Sequence, residues 1–208
     1  VTAPAKTLNP RKTPLQSRSR ATCDAVLEAA ARILETEGRQ AFTTNHVAEL
    51  AGISVGSLYQ YFPGKEAIVA VLVRQLRQEM LNDFEEAVRQ SEGANLTIAA
   101  RALVRAAVRH HLRRPALAQV LEREEMDLPL DEETMRLKQR LRELVVGVLA
   151  ERGIEDAPMA AFDLIAMCHG MVEAAVQSGE RDFDHLCLRL DRAVLGYLGV
   201  PMGQAAHR

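Results

Sequence analysis

The chain has 208 residues, 26 Lys and Arg against 28 Asp and Glu, and is 48% apolar with only 4% aromatic residues and no tryptophan. That supports one or two compact domains with a core built mainly from Leu, Ala and Val. No apolar run reads as long enough to span a membrane and no signal peptide opens the chain. The three cysteines (Cys23, Cys168, Cys187) are odd in number and each lies on an apolar helical face, so they read as buried thiols in a reducing cytoplasm rather than as a disulfide framework.

Charge divides unevenly along the chain. Residues 1–65 hold eight bases against five acids, a net of +3, which leaves −5 on residues 66–208 of a chain whose total is −2. A basic front and an acidic rear fit a nucleic-acid end and an end of another kind. Residues 1–18 form a basic, proline-containing arm expected to be flexible, and the first twenty residues hold five bases and no acid. Such an arm suits DNA phosphates or a minor groove, and it equally suits a tail without a role.

A first helix is expected over residues 19–37, burying Cys23, Val26, Leu27, Ala30, Ile33 and Leu34. Residues 43–62 then read as two short helices folded across a glycine. Val47, Leu50 and Ala51 share one face of the first, with Thr43 or Thr44 as its cap and Gly52 as its left-handed exit. Ser54 caps the second, which is expected to bury Val55, Leu58 and Phe62. Small Ala48 lets the two helices cross closely, as a helix-turn-helix requires. An ordinary packing hairpin is the alternative, but it has no use for the polar and aromatic residues that follow.

Those residues carry the chemistry. Ser54, Val55, Gly56 and Ser57 make the first turn of the second helix, where small side chains allow close approach to base edges in a major groove. Tyr59 and Tyr61 offer phenols to phosphate oxygens, with core packing the alternative for either ring. Gln60 suits an adenine edge or a phosphate equally. Lys65 opens the next helix, where its ammonium and the free N–H groups of that helix can share one phosphate. Thr43, Thr44 and Asn45 complete the candidate DNA-binding set.

These residues resemble the DNA-binding domain of TetR (tetracycline repressor) type regulators. The resemblance rests on Ala29-Ala30, Leu34, Gly38, Thr43-Thr44, Val47-Ala48, Ala51-Gly52, Ser54-Val55-Gly56, Leu58-Tyr59, Tyr61-Phe62 and Lys65-Glu66, about a quarter of the chain. Asn45-His46 departs from it, since the family often has an isoleucine and an acid there. The resemblance implies an all-α homodimer with an N-terminal three-helix DNA-binding domain (residues 19–66). It also implies a C-terminal ligand-binding and dimerisation domain (residues 67–208), with release from a palindromic operator on binding a small effector.

The remaining pattern is helical throughout, giving about nine helices in all: residues 65–90, 96–113, 115–126, a seventh after Asp131 that ends near Gly153, an eighth after Asp156 with Pro158 in its first turn, and a ninth over 182–198. Phe162, Ile165, Ala166, His169, Val172 and Val176 form one stripe of the eighth helix, and Ala161, Leu164, Cys168, Met171 and Ala175 a second beside it. A helix so apolar is covered on more than one side. Leu164, Cys168, Met171 and Ala175 of the second stripe, with a weaker seam of Leu188 and Leu195 on the ninth helix, are assigned to the dimer interface. The ninth helix is expected to bury Phe183, Leu186, Cys187, Leu190, Val194, Tyr197 and Leu198.

An effector pocket is assigned to Leu103, Ala107, His110, His111, Glu125, Phe162, Ala166 and His169, a mostly apolar set with a few polar groups suited to an aliphatic ligand. Arg101, Arg105 and Arg109 read as a solvated face. No Gly-rich phosphate loop, Cys-x-x-Cys or His-x-x-x-His spacing occurs, and the adjacent pairs Cys168-His169 and His110-His111 diverge by about 100° on a helix. No enzyme, catalytic residue, cofactor or metal site is therefore expected. A metal- or redox-responsive repressor is the alternative sensing mode, and a small architectural DNA-binding protein would not need the large acidic body.

Overall fold

The computed structural model describes residues 17–127 and 132–200, and these form nine helices with no strand among them. They are α1 (Ser17–Thr36), α2 (Thr44–Leu50), α3 (Val55–Tyr61), α4 (Lys65–Gln90), α5 (Leu96–Arg113), α6 (Pro115–Asp127), α7 (Glu132–Ala150), α8 (Ala157–Gln177) and α9 (Phe183–Tyr197). The expected boundaries hold to within about three residues. The basic arm, apart from its last two residues, and Asp131 lie outside the described residues.

Two compact units divide the chain. Of the described residues, the first takes 17–76, 116–127 and 132–135 and so holds α1 to α3, the first half of α4, and α6. This differs from a boundary at residue 66. Its core takes Val26, Ala30, Ile33 and Leu34 from α1, Val47 and Ala48 from α2, Leu58 and Phe62 from α3, and Ile68 and Leu72 from α4, with Leu117 and Leu121 of α6 packed into the same cluster. Each fully buried Val, Ile, Leu or Phe among these contributes roughly 1.5–3 kcal/mol relative to leaving it in water. Three turns of α4 and one face of α6 are therefore part of the head, because its apolar core is incomplete without them. Within this unit Arg39, just past the end of α1, pairs at 3.0 Å with Glu124 of α6, whose side chain is only 12% exposed.

The second unit holds the rest of α4 with α5, α7, α8 and α9. Here α5 packs on α9 and α8, and α8 packs on α9. Arg152, at the end of α7, donates to the carbonyls of Ser91, Ala94 and Val148 at 2.8, 3.1 and 3.0 Å, which ties the α4–α5 connection to α7. The α5 arginines correct the expectation of a merely solvated face. Arg109 and Arg113 both donate to Oδ1 of buried Asp83 of α4, at 3.2 and 2.8 Å, and Arg101 faces buried Asp191 of α9 at 3.6 Å. Buried carboxylates need such partners, and α5 supplies them from the edge of its apolar face.

Candidate nucleic-acid interface

Local chemistry fixes the shape of the α2–α3 hairpin. Thr43 caps α2, its hydroxyl accepting the His46 N–H at 3.2 Å. The helix closes when the Ile53 N–H reaches back to the Ala48 carbonyl at 3.0 Å, which requires Gly52 between them to take φ +69°. Ser54 caps α3 by accepting the Ser57 N–H at 3.0 Å, and the two serine hydroxyls lie 2.8 Å apart. Both caps are as the residue types and spacing require.

Two apolar expectations are corrected. Leu50 is 41% exposed and Val55 38%. The buried side of α2 is centred between Val47 and Ala48, and at about 100° per residue Leu50 falls beyond its edge. On α3 the helix is only seven residues long, and Phe62 leaves it in an extended conformation (φ −119°, ψ 122°) to enter the core. Leu58 and Phe62 thus anchor the far end of α3, while Val55 stands in its free first turn.

The surface left open contains most of the assigned set. Thr43, Asn45, Ser54, Val55, Gly56, Tyr59, Gln60 and Lys65 are exposed, and Thr44 and Ser57 are half-buried. Tyr61 is also half-buried, packed on the core of the head, so Tyr59 is the more open of the two rings. The Tyr59 and Thr44 hydroxyls lie 3.0 Å apart and join α3 to α2. Sequence reasoning did not pair them, because they are fifteen residues apart and only the crossing of the two helices brings them together. His46, the departure from the family pattern, proves to be a brace. Its Nδ1 donates to the Ala41 carbonyl at 3.2 Å and its Nε2 lies 3.7 Å from Glu37 Oε1, so it fastens α2 to the end of α1.

In the second unit the α8 stripes do not divide as expected: Val172 of the first stripe is buried, and Ile165 and Val176 pack against the same core. Leu164 and Ala175 are buried in the unit's own core and Cys168 and Met171 pack against it. Phe162 is 56% exposed, and Ala166 and His169 are exposed as well. The stripe assigned to a partner is thus partly covered within its own unit, with Cys168 and Met171 half-buried, and three residues assigned to an internal pocket face outward. On α9, Leu195 is buried while Leu188 is 55% exposed, and Tyr197 is 47% exposed with its hydroxyl donating to Asp163 at 2.6 Å. Of the remaining pocket residues, Leu103 and His111 are buried and Ala107 is half-buried in the second unit, Glu125 is buried in the first, and the His110 side chain lies outside the described residues. By length and composition α8 would suffice to cross a membrane, contrary to expectation, yet only 28% of its most apolar stretch is covered within the chain. Its apolar character serves one packed side and one open side.

The comparisons with known proteins agree with this architecture. Residues 26–72 match the model of bacterial regulatory proteins of the tetR family, and residues 95–198, half of the chain, match the tetracyclin repressor-like C-terminal domain. The nucleoid occlusion factor SlmA of Haemophilus ducreyi is 32% identical over 76 residues, 36% of this chain, and the matched stretch spans only 38% of that relative. SlmA of Citrobacter koseri is 22% identical over 174 residues, covering 78% of this chain and 87% of the relative. The fold is similar to the crystal structure of a TetR-family regulator from Mesorhizobium loti, with a TM-score of 0.70 at 19% identity over 88% of this chain and 98% of the other. With a two-part match spanning its helix-turn-helix and its helical body, the chain belongs to the TetR family of DNA-binding transcriptional regulators.

Proposed function

We propose that the chain is a cytoplasmic, sequence-specific repressor that binds a palindromic operator as a homodimer and leaves it on binding a small, apolar effector. The observation that carries this reading is the open α2–α3 surface, where exposed polar and aromatic side chains stand on two helices whose other sides are buried. In this reading Ser54 to Ser57 enter the major groove, Gln60 takes a base edge or a phosphate, and Thr43, Asn45, Tyr59 and Lys65 hold the backbone, with Thr44 set against Tyr59 and Tyr61 a weaker contact.

The dimer surface is read as the open side of α8 (Met159, Phe162, Ala166, His169) continued by Leu188 of α9, in place of the buried Leu164, Ala175 and Leu195 and the half-buried Cys168 and Met171. A two-fold dimer sets two α3 helices about one DNA turn (~34 Å) apart. The effector site keeps Leu103, Ala107 and His111 from the original assignment. Coupling runs through chain continuity, since α4 contributes to both units and α6 is carried by the head through Leu117, Leu121 and the Arg39–Glu124 pair. An effector that favours a different head separation by about 1–3 kcal/mol changes operator occupancy several-fold or more.

The redox version of the alternative is less favoured, because burial, with the Asp191 charge adding to it, pushes the Cys168 thiol up to about 11, away from the reactive thiolate. The SlmA relatives are named nucleoid occlusion factors, and a role in nucleoid occlusion is the second reading. Selection from a random duplex library by the full chain tests the main reading. A two-fold symmetric consensus with half-sites about one turn apart is expected, and an asymmetric consensus or no enrichment overturns it.

A further inference from the structure

We propose that Thr44 is a positioning residue for Tyr59: its hydroxyl donates to the phenol oxygen and so holds the phenol proton free for one DNA phosphate. The proposal rests on reading the α2–α3 surface as the DNA interface. Thr44 is the first residue of α2 and Tyr59 the fifth of α3, and their oxygens are 3.0 Å apart. Other hydroxyls of this surface are committed to backbone or to one another. Thr43 accepts the His46 N–H, and Ser54 accepts the Ser57 N–H while facing the Ser57 hydroxyl. Since Thr43 is the cap, Thr44 is released from that duty, and its recorded hydrogen bond goes to Tyr59.

Two hydroxyls that bond to each other consume one proton and leave the other free to donate. Either direction satisfies the geometry in the absence of DNA. Against an anion, the arrangement that gives the phosphate the stronger donor is preferred, and a phenol is a stronger donor than an alkyl hydroxyl. The Thr44 proton then sits on the phenol oxygen, and accepting that bond polarises the phenol O–H further. The arrangement also limits rotation of a ring that is 41% exposed. The branched Cβ of Thr44 has few rotamers of its own, so the pair holds the phenol in one place before DNA arrives. A phosphate contact of this kind is independent of sequence.

The test measures affinity of the full chain for a mixed-sequence 30-base-pair duplex at low salt, with melting temperature recorded for each variant. Tyr59→Phe is expected to weaken binding about tenfold, as for loss of a hydrogen bond to a charged group. Thr44→Val is expected to weaken it about threefold, Thr44→Ser to restore it, and the double variant to match Tyr59→Phe alone. Equal losses in the two single variants, matched by the double, would reduce the pair to a tether between helices and overturn the proposal. Fully additive losses would make them independent contacts, and a larger loss for Thr44→Val would reverse the direction of donation; either also overturns it. A silent Thr44→Val beside a weakened Tyr59→Phe sinks the proposal alone, whereas wild-type chain with no salt-dependent duplex binding sinks the DNA interface itself.

Discussion

The contrast between the open and packed sides of α8 makes a sharp prediction about Phe162 and Leu164, which are two residues apart. Phe162 is 56% exposed and Leu164 only 6%. A phenylalanine side chain presents ~200 Å², so about 110 Å² of Phe162 remains for a partner to cover, worth about 3 kcal/mol per protomer at ~25 cal/mol per Å². Two-fold symmetry covers the residue twice, and partial coverage at half that value still gives about 3 kcal/mol for the dimer, roughly a hundredfold in dissociation constant. Phe162→Asp should therefore weaken dimerisation by at least about two orders of magnitude, followed by sedimentation velocity over a dilution series. It also removes the stacking of Arg142 over the Phe162 ring at 5.8 Å, an exposed contact worth about 0.5–1 kcal/mol, so the protomer should remain folded. Leu164→Ala should instead cost about 2–5 kcal/mol of unfolding free energy and leave the dimer constant unchanged below its melting temperature. A Phe162→Asp chain that dimerises like wild type, or a folded Leu164→Ala chain that falls apart, would refute the assignment.

Lys65→Gln should weaken binding to every duplex tested and reduce the slope of log affinity against log salt by about one per head, read by anisotropy titrations at several salt concentrations. Arg152→Met removes three hydrogen bonds to backbone carbonyls and should lower stability by about 3 kcal/mol in urea unfolding, with duplex affinity unchanged while the chain is folded. For Asp191, burial raises the carboxyl pKa above its usual 3.8, partly offset by Arg105 and Arg101. The native state then keeps a proton that the unfolded chain has released, so this contribution is full below about 3.8 and is lost as pH rises through the folded value. The stability difference between wild type and Asp191→Asn should therefore fall as pH rises from about 4 and then level off; a difference that grows over that range contradicts the burial argument. Cys168 should react with a maleimide far more slowly in the native chain than in urea at pH 8, because its thiol lies near 11 in the fold; equal rates would reopen the redox alternative.

The helix-turn-helix was legible in sequence because its signals are local. A capping hydroxyl, a glycine exit and a core residue each answer to neighbours within a few positions, so Gly52, Ser54 and Leu58 could be placed from spacing alone, and the α2 cap narrowed to Thr43 or Thr44. The errors there, Leu50 and Val55, arise where a seven-residue helix is too short for periodicity to fix which side is covered. On α8 the difficulty is of another kind. Two apolar stripes lie side by side, and periodicity reports that both are apolar without saying which one meets α5 and α9. That depends on contacts between residues far apart in sequence, and the same holds for Asp83 with Arg109 and Arg113, and for Arg39 with Glu124.

The position of α6 bears on how a signal can reach DNA. The chain passes between the two units three times, within α4, at the start of α6 and after it. A head joined to the body through α4 alone would leave α6 among the body's helices. Instead Leu117 and Leu121 complete the core beneath α1 and α4, and Glu124 holds Arg39 at the end of α1. His46 then links the residues just beyond α1 to α2. A displacement of either end of α6 therefore bears on the same core that carries α3. In the proposed mechanism, an effector bound along α5 can act on the head through the connection at Pro115 as well as through α4. Weakening the Arg39–Glu124 pair should accordingly change the coupling between effector and DNA more than it changes DNA affinity in the absence of effector.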